Sequence, residues 1–146
     1  MTAMPEHTAT GLETVTNRKV LIIDDDLDFA ESLVDHLHLK GYRTEVAHSP
    51  LDALARTDKF KPNVALVDIR LGRSSGIDMV THLKSRHPQL LCVMITAYAA
   101  LDSAVDALRN GAYDYLRKPL GPDDLLTTLD RCFDTIRLEE EKREAE

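Results

Sequence analysis

Val64-Ala65-Leu66-Val67-Asp68-Ile69-Arg70 is the stretch whose reading decides the fold. Four apolar residues run straight into one carboxylate. A short, Val-rich apolar run bounded by turn signals reads as a strand buried on both faces rather than as a piece of helix. Asp68 then stands at the C-terminal end of that strand. Open α/β sheets keep their ligand crevice outside those strand ends, so Asp68 is the candidate reactive residue.

The neighbouring segments repeat the pattern. Lys19–Ile23 is a second apolar run, and it ends in Asp24-Asp25-Asp26; Leu90–Ile95 is a third, with Thr96 at its end. Tyr42–Ala47 and Ala112–Leu116 are shorter strands, and Pro62 leads into the central one, Asn63–Asp68. Helical spacing fills the gaps. Asp26 caps a helix carrying Phe29, Ala30, Leu33, Val34 and Leu37, which Gly41 closes after Lys40 in a left-handed conformation. Ser49-Pro50 opens the second helix. Leu71-Gly72-Arg73-Ser74-Ser75-Gly76 is a loop by composition, followed by a helix with Ile77, Val80 and Leu83 that His87-Pro88 stops. Asp102 caps a fourth helix with Ala104, Val105 and Leu108, closed by Asn110-Gly111. Pro122-Asp123-Asp124 starts the last, with Leu125, Leu126, Leu129, Phe133 and Ile136 inward. Five strand-then-helix repeats predict an α/β fold, a five-stranded parallel sheet with helices on both faces. The apolar runs of strands one, three and four make those the central strands.

Composition narrows the function classes. The 146 residues suit one domain, and 43% hydrophobic with 29% charged residues is an ordinary globular balance. A net charge of -7 argues against general affinity for nucleic-acid phosphates, and no basic stripe or helix-turn-helix segment is present. No apolar run reaches the ~20 residues of a membrane helix. Residues 1–17 are polar, lack the apolar core of a secretory signal, and read as a flexible tail. Residues 18–136 form the body. Residues 137–146 are a charged helical extension: either a solvated helix end or a signalling helix leading to a dimer or to an output domain outside this chain. Cys92 and Cys132 read as reduced, buried thiols of a cytoplasmic protein. His7, His36, His38, His48, His82 and His87 are scattered and read as solvated.

Parallel strands put their C-terminal ends on one edge, which here collects Asp24, Asp25, Asp68, Thr96 and Lys118. Singly, such residues are helix caps, strand ends or solvated turns. Together they are a constellation. Three close carboxylates repel and raise one another's pKa; a hard divalent cation removes that conflict, and Mg²⁺ characteristically takes one or two carboxylates together with a phosphate. The edge therefore reads as a Mg²⁺ site that also holds a phosphoryl group. Lys118 adds a point charge and Thr96 a hydroxyl donor. Asp68 is either a ligand alone or the nucleophile that becomes an acyl phosphate.

With these residues in place, the chain resembles the receiver domain of two-component response regulators. The matching pieces are Val20-Leu21-Ile22-Ile23-Asp24-Asp25-Asp26, Val67-Asp68-Ile69-Arg70 with Gly76 eight residues beyond Asp68, Met94-Ile95-Thr96-Ala97, Gly111-Ala112-Tyr113-Asp114-Tyr115 and Leu116-Arg117-Lys118-Pro119. The resemblance implies a flavodoxin-like sheet of strand order 2-1-3-4-5. It implies that Asp68 accepts a phosphoryl group from a histidine kinase or phosphotransfer protein. Asp25 and Asp68, Asp24 mainly through water, and the backbone carbonyl of Arg70 would hold Mg²⁺. Thr96 and Lys118 would bind phosphoryl oxygens, Thr96 and Tyr115 would switch, and the Lys118–Pro119 bond would be cis. Arg70 and Tyr98 would tune phosphoryl lifetime. The readout surface would be helix four, strand five and helix five, and a homodimer would form there or through the C-terminal helix. The chain departs from the family pattern at Gly72, where Pro is usual, which loosens the metal loop.

The resemblance implies a phosphoacceptor in a phosphorelay with at most slow self-dephosphorylation, not a turnover enzyme. A receiver-like interaction module acting without phosphorylation is the alternative. A phosphoaspartate-forming hydrolase fits less well, because Arg70 stands where such enzymes carry a second Asp as general acid.

Overall fold

The computed structural model describes residues 18–71, 74–97 and 101–145. The main sheet has five strands: β1 Lys19–Ile23, β2 Arg43–Ala47, β3 Val64–Val67, β4 Leu91–Thr96 and β5 Asp114–Arg117. All neighbouring pairs are parallel and the order is β2-β1-β3-β4-β5. The helices are α1 Leu27–Leu39, α2 Pro50–Phe60, α3 Gly76–Arg86, α4 Leu101–Arg109 and α5 Pro122–Ala145.

The period-2 alternation of the strands sorts the core into two layers. Val20, Ile22, Val64, Leu66, Val93 and Ile95 pack against Ala30, Leu33 and Leu37 of α1 and Leu125, Leu129, Cys132 and Phe133 of α5. Leu21, Ile23, Ala65, Val67, Cys92 and Met94 face the other way, against Ala53 and Phe60 of α2, Met79, Val80 and Leu83 of α3 and Ala107 of α4. Every residue of β3 is buried, as its unbroken apolar run requires of a central strand. Both cysteines are free and buried, and burial pushes each thiol up to about 12.

Local chemistry sets the helix ends. The Asp26 carboxylate accepts the Phe29 N–H at 3.1 Å, and the Ser49 hydroxyl accepts that of Asp52 at 3.2 Å. Gly41 (φ 89°) and Gly111 (φ 108°) take the left-handed turn, each followed by an N–H returning to the helix, Tyr42 to Leu37 and Ala112 to Ala107. Lys61 also turns left-handed (φ 52°), where Pro62 forbids another helical turn.

Two readings from sequence are corrected. The segment after β3 carries secondary structure: Arg70–Leu71 and Ser74–Ser75 form a two-residue antiparallel ribbon, and the Ser75 hydroxyl caps α3. His87 is not simply solvated, since its Nε2 lies 2.9 Å from Asp58 Oδ1, and Arg86 pairs with the same carboxylate. That contact ties α2 to the end of α3 across 29 residues, so no local spacing could reveal it. The tail at 1–17, Gly72, Tyr98 and the side chain of Asp102 lie outside the described residues. Beyond Ile136, α5 continues as one helix to Ala145.

Leu66 faces α1 and α5 at the middle of the sheet. Leu66→Ala is expected to cost about 2–5 kcal/mol, read as a lower urea midpoint with an unchanged slope.

Candidate functional site

Register brings the two key carboxylates together. Ile23 pairs with Val67, so the residues that follow, Asp24 and Asp68, emerge side by side. The ladder continues one step further on each strand: the Asp24 N–H donates to the Ala47 carbonyl at 3.1 Å and the Asp68 N–H to the Ile23 carbonyl at 3.0 Å. Thr96 closes β4 and is fully buried. The Lys118 N–H donates to the Thr96 carbonyl at 2.9 Å, which carries the lysine to the same edge, and the Lys118–Pro119 bond is cis.

There the Lys118 ammonium lies 2.9 Å from Asp24 Oδ2 and 3.3 Å from Asp68 Oδ2. The Asp24 side chain is only 3% exposed, that of Asp68 12% and that of Lys118 16%, so this ion triad is poorly screened. Burial raises the Asp24 carboxyl above its usual range, and the Asp68 charge adds to that. The Asp26 N–H, 2.9 Å from Asp24 Oδ1, and the Lys118 ammonium pull the other way. For Lys118, burial disfavours the charge, but the bonds and charges of Asp24 and Asp68 outweigh it and hold the ammonium above its ordinary value.

Asp24, Asp25 and Asp68 each bring a carboxylate oxygen within 4.8 Å of the others, and Asp25 opens the cluster to solvent. All three offer hard carboxylate oxygens, and Lys118 pairs with those of Asp24 and Asp68. The residues present therefore fit a small hard cation such as Mg²⁺, with room for water on the exposed side. The Arg70 N–H donates to Asp68 Oδ1 at 3.2 Å, so the ribbon residue expected to be a backbone ligand is tied to the Asp68 carboxylate. Tyr115 is half-buried on β5, its Cα in register with Met94, and packs on the core layer shared with α3 and α4.

Two residues matter here in ways that pattern reading did not reach. A Cβ on Gly76 would lie 2.0 Å from the Asp68 carbonyl oxygen, and the Gly76 N–H donates to the Ile69 carbonyl at 2.8 Å. Only glycine lets α3 approach the loop that carries Asp68. Phe29 reads as an apolar helix position, yet its ring centroid is 4.0 Å from the Lys118 ammonium. Spacing marks it as core; only the tertiary fold places it at the site.

The family described as Response regulator receiver domain matches residues 20–130. The acid tolerance regulatory protein ActR of Sinorhizobium medicae (strain WSM419) is 34% identical over 113 residues, covering 77% of this chain and 58% of that protein. The chain thus spans little more than half the length of that relative. A response regulator receiver domain protein (CheY-like) from Methanospirillum hungatei JF-1 superposes with a TM-score of 0.80 at 32% identity, over 84% of this chain and 98% of that one. A response regulator from Burkholderia pseudomallei, solved with a phosphorylated aspartic acid, a calcium ion and citrate, gives 0.75 at 31% identity over 85% and 73%.

Two outcomes test the geometry. Gly76→Ala is expected to cost more than about 2 kcal/mol, from backbone collision rather than a lost contact, and to shift the amide resonances of Asp68, Ile69 and Arg70. In the metal-free chain the Asp24 carboxyl ¹³C signal should titrate above 3.8, the ordinary value; Lys118→Ala should move the midpoint further up and Asp68→Asn should bring it down. The sign for stability follows. Just above pH 3.8 the folded chain keeps a proton that the unfolded chain has released, so this group's contribution to stability falls as pH rises through that window.

Proposed function

Because the chain belongs to the response regulator receiver domain family of two-component signalling, we propose that Asp68 is its phosphoacceptor and that the phosphoryl group arrives from a histidine kinase or phosphotransfer protein. The observation that carries this reading is the Lys118 ammonium set between Asp24 and Asp68, beside a third carboxylate, at the C-terminal edge of a parallel sheet.

In the proposed step an Asp68 carboxylate oxygen attacks phosphorus in line, and the bond from phosphorus to the donor's imidazole nitrogen breaks. The transferring group is loose and anionic, so positioning and charge do most of the work. Lys118 leaves its carboxylate partners to hold one phosphoryl oxygen, and the Thr96 hydroxyl donates to another. Asp24, Asp25, Asp68 and the Arg70 carbonyl would hold Mg²⁺, which when bound neutralises charge on the phosphoryl oxygens. The Burkholderia pseudomallei relative, with its phosphorylated aspartate and calcium ion, supports the pairing of acyl phosphate and divalent cation.

The product adds about 1.5–2 negative charges at a half-enclosed edge. Thr96 moving toward them and Tyr115 turning inward would bias a two-state surface formed by α4, β5 and α5. Val105 and Leu108 of α4 are exposed there, which suits a surface that gains or loses a partner: a second copy of the chain, or an output domain elsewhere in a longer protein. Among the described residues no helix is long and apolar enough to cross a membrane, in keeping with a cytoplasmic setting. Arg70 and Tyr98 are proposed to tune how long the phosphoryl group lasts, and residues 137–146 to act as the connecting helix.

Incubation with acetyl phosphate and Mg²⁺ should add the mass of one phosphoryl group to the chain and none to Asp68→Ala, with the gain abolished by EDTA. A chain that binds Mg²⁺ yet gains no mass from either acetyl phosphate or a phosphorylated kinase domain would instead favour a module working without phosphorylation.

A further inference from the structure

The Lys118 ammonium has a third neighbour besides Asp24 and Asp68. The Phe29 ring centroid lies 4.0 Å from Nζ, close for a cation over an aromatic face. Phe29 is itself tightly placed. Its N–H is held by the Asp26 carboxylate at 3.1 Å, its carbonyl accepts the Ser32 hydroxyl at 2.7 Å, and its side chain packs on the layer shared by α1 and α5. The Asp26 N–H in turn donates to Asp24 Oδ1 at 2.9 Å, and Asp24 Oδ2 meets Lys118. These contacts close a ring: Asp24 to Asp26, Asp26 to Phe29, Phe29 to Lys118, Lys118 back to Asp24. One hexapeptide, Asp24–Phe29, thus supplies both a carboxylate that draws Lys118 in and an aromatic face that backs it.

We propose that Phe29 is a positioning residue, whose ring holds the Lys118 ammonium beside Asp68 in readiness for a phosphoryl oxygen. The inference deepens the proposed function and rests on it for its kinetic consequence. A four-carbon lysine stem is flexible. Two carboxylates alone would let the ammonium follow whichever oxygen moves, including outward to solvent. A fixed quadrupole face opposite them limits that freedom and keeps water off one side of the cation. The face persists when the carboxylates change partners, so Lys118 can transfer its bond to the incoming phosphoryl group without leaving the site. An aliphatic side chain of similar bulk would fill the space but supply no such attraction.

The experiment compares the wild-type chain with Phe29→Leu, Phe29→Tyr and trifluorophenylalanine at position 29; fluorination keeps the ring's shape while weakening its negative face. The first readout needs neither metal nor phosphoryl donor: the Lys118 εCH₂ proton shifts. In the wild-type chain and Phe29→Tyr they should lie upfield from the ring current, and in Phe29→Leu they should move back toward free-lysine values. The second readout is the rate of phosphorylation by acetyl phosphate at saturating Mg²⁺. It should fall about threefold to tenfold in Phe29→Leu, fall in the same direction with the fluorinated ring, and recover in Phe29→Tyr. Unshifted εCH₂ protons in the wild-type chain overturn the proposal. So does a rate that ignores fluorination, or an equal loss in Tyr and Leu variants of unchanged melting temperature. If the wild-type chain accepts no phosphoryl group while the upfield shift is present, the phosphoacceptor reading fails and the placement of Lys118 by Phe29 stands, so the two failures are distinct.

Discussion

Two carboxylates, Asp24 and Asp68, are forced side by side where little water reaches them, and one ammonium lies between them. That arrangement is costly unless something compensates the charge. Lys118 provides one positive charge, but three acidic side chains share the edge. The donor set suits a hard cation, and in the proposed function that cation would accompany the anionic phosphoryl group. The rest of the fold serves this conflict. Parallel pairing of β1 with β3 sets the two aspartates level, and the bond from Lys118 N–H to the Thr96 carbonyl brings in the counter-charge. The absence of a side chain at Gly76 allows α3 to close beneath the Asp68 loop.

The same conflict explains how chemistry at one edge could be felt elsewhere. Lys118 immediately follows β5, the strand that carries Tyr115, and β5 is paired along its length with β4, which ends at Thr96. A charge that redirects Lys118 and Thr96 would, in the proposed function, act directly on these two strands, and α4 packs against β5. In the proposed function no remote signal path is needed beyond these shared backbone bonds; the surface that changes is built on the elements that touch the phosphoryl group.

Much of this was legible in the chain because the signals were local. The unbroken Val64–Val67 run, the acidic triplet after Ile23, the Asp26 and Ser49 caps and the glycines at 41 and 111 each state their own backbone requirement. The sheet edge could then be assembled from strand ends, and the structure brings Asp24, Asp25, Asp68, Thr96 and Lys118 to that edge. What stayed hidden depends on distant partners. The Arg70–Leu71 ribbon is held by pairing with Ser74–Ser75 inside a segment whose composition says only loop. The contacts of Asp58 with Arg86 and His87 join residues nearly thirty positions apart. Phe29 looks like any other apolar helix position until the cis-linked Lys118 arrives over its ring from the far end of the sheet.

The central claim, that Asp68 carries the phosphoryl group, is tested most directly by trapping the acyl phosphate chemically and locating it. After loading with acetyl phosphate and Mg²⁺, borohydride reduces an aspartyl phosphate to homoserine, and peptide mass spectrometry then reads the position. The account predicts homoserine at position 68 and intact aspartate at 24, 25 and 26. Homoserine at another position, or phosphate retained on a side chain that borohydride does not reduce, would contradict it.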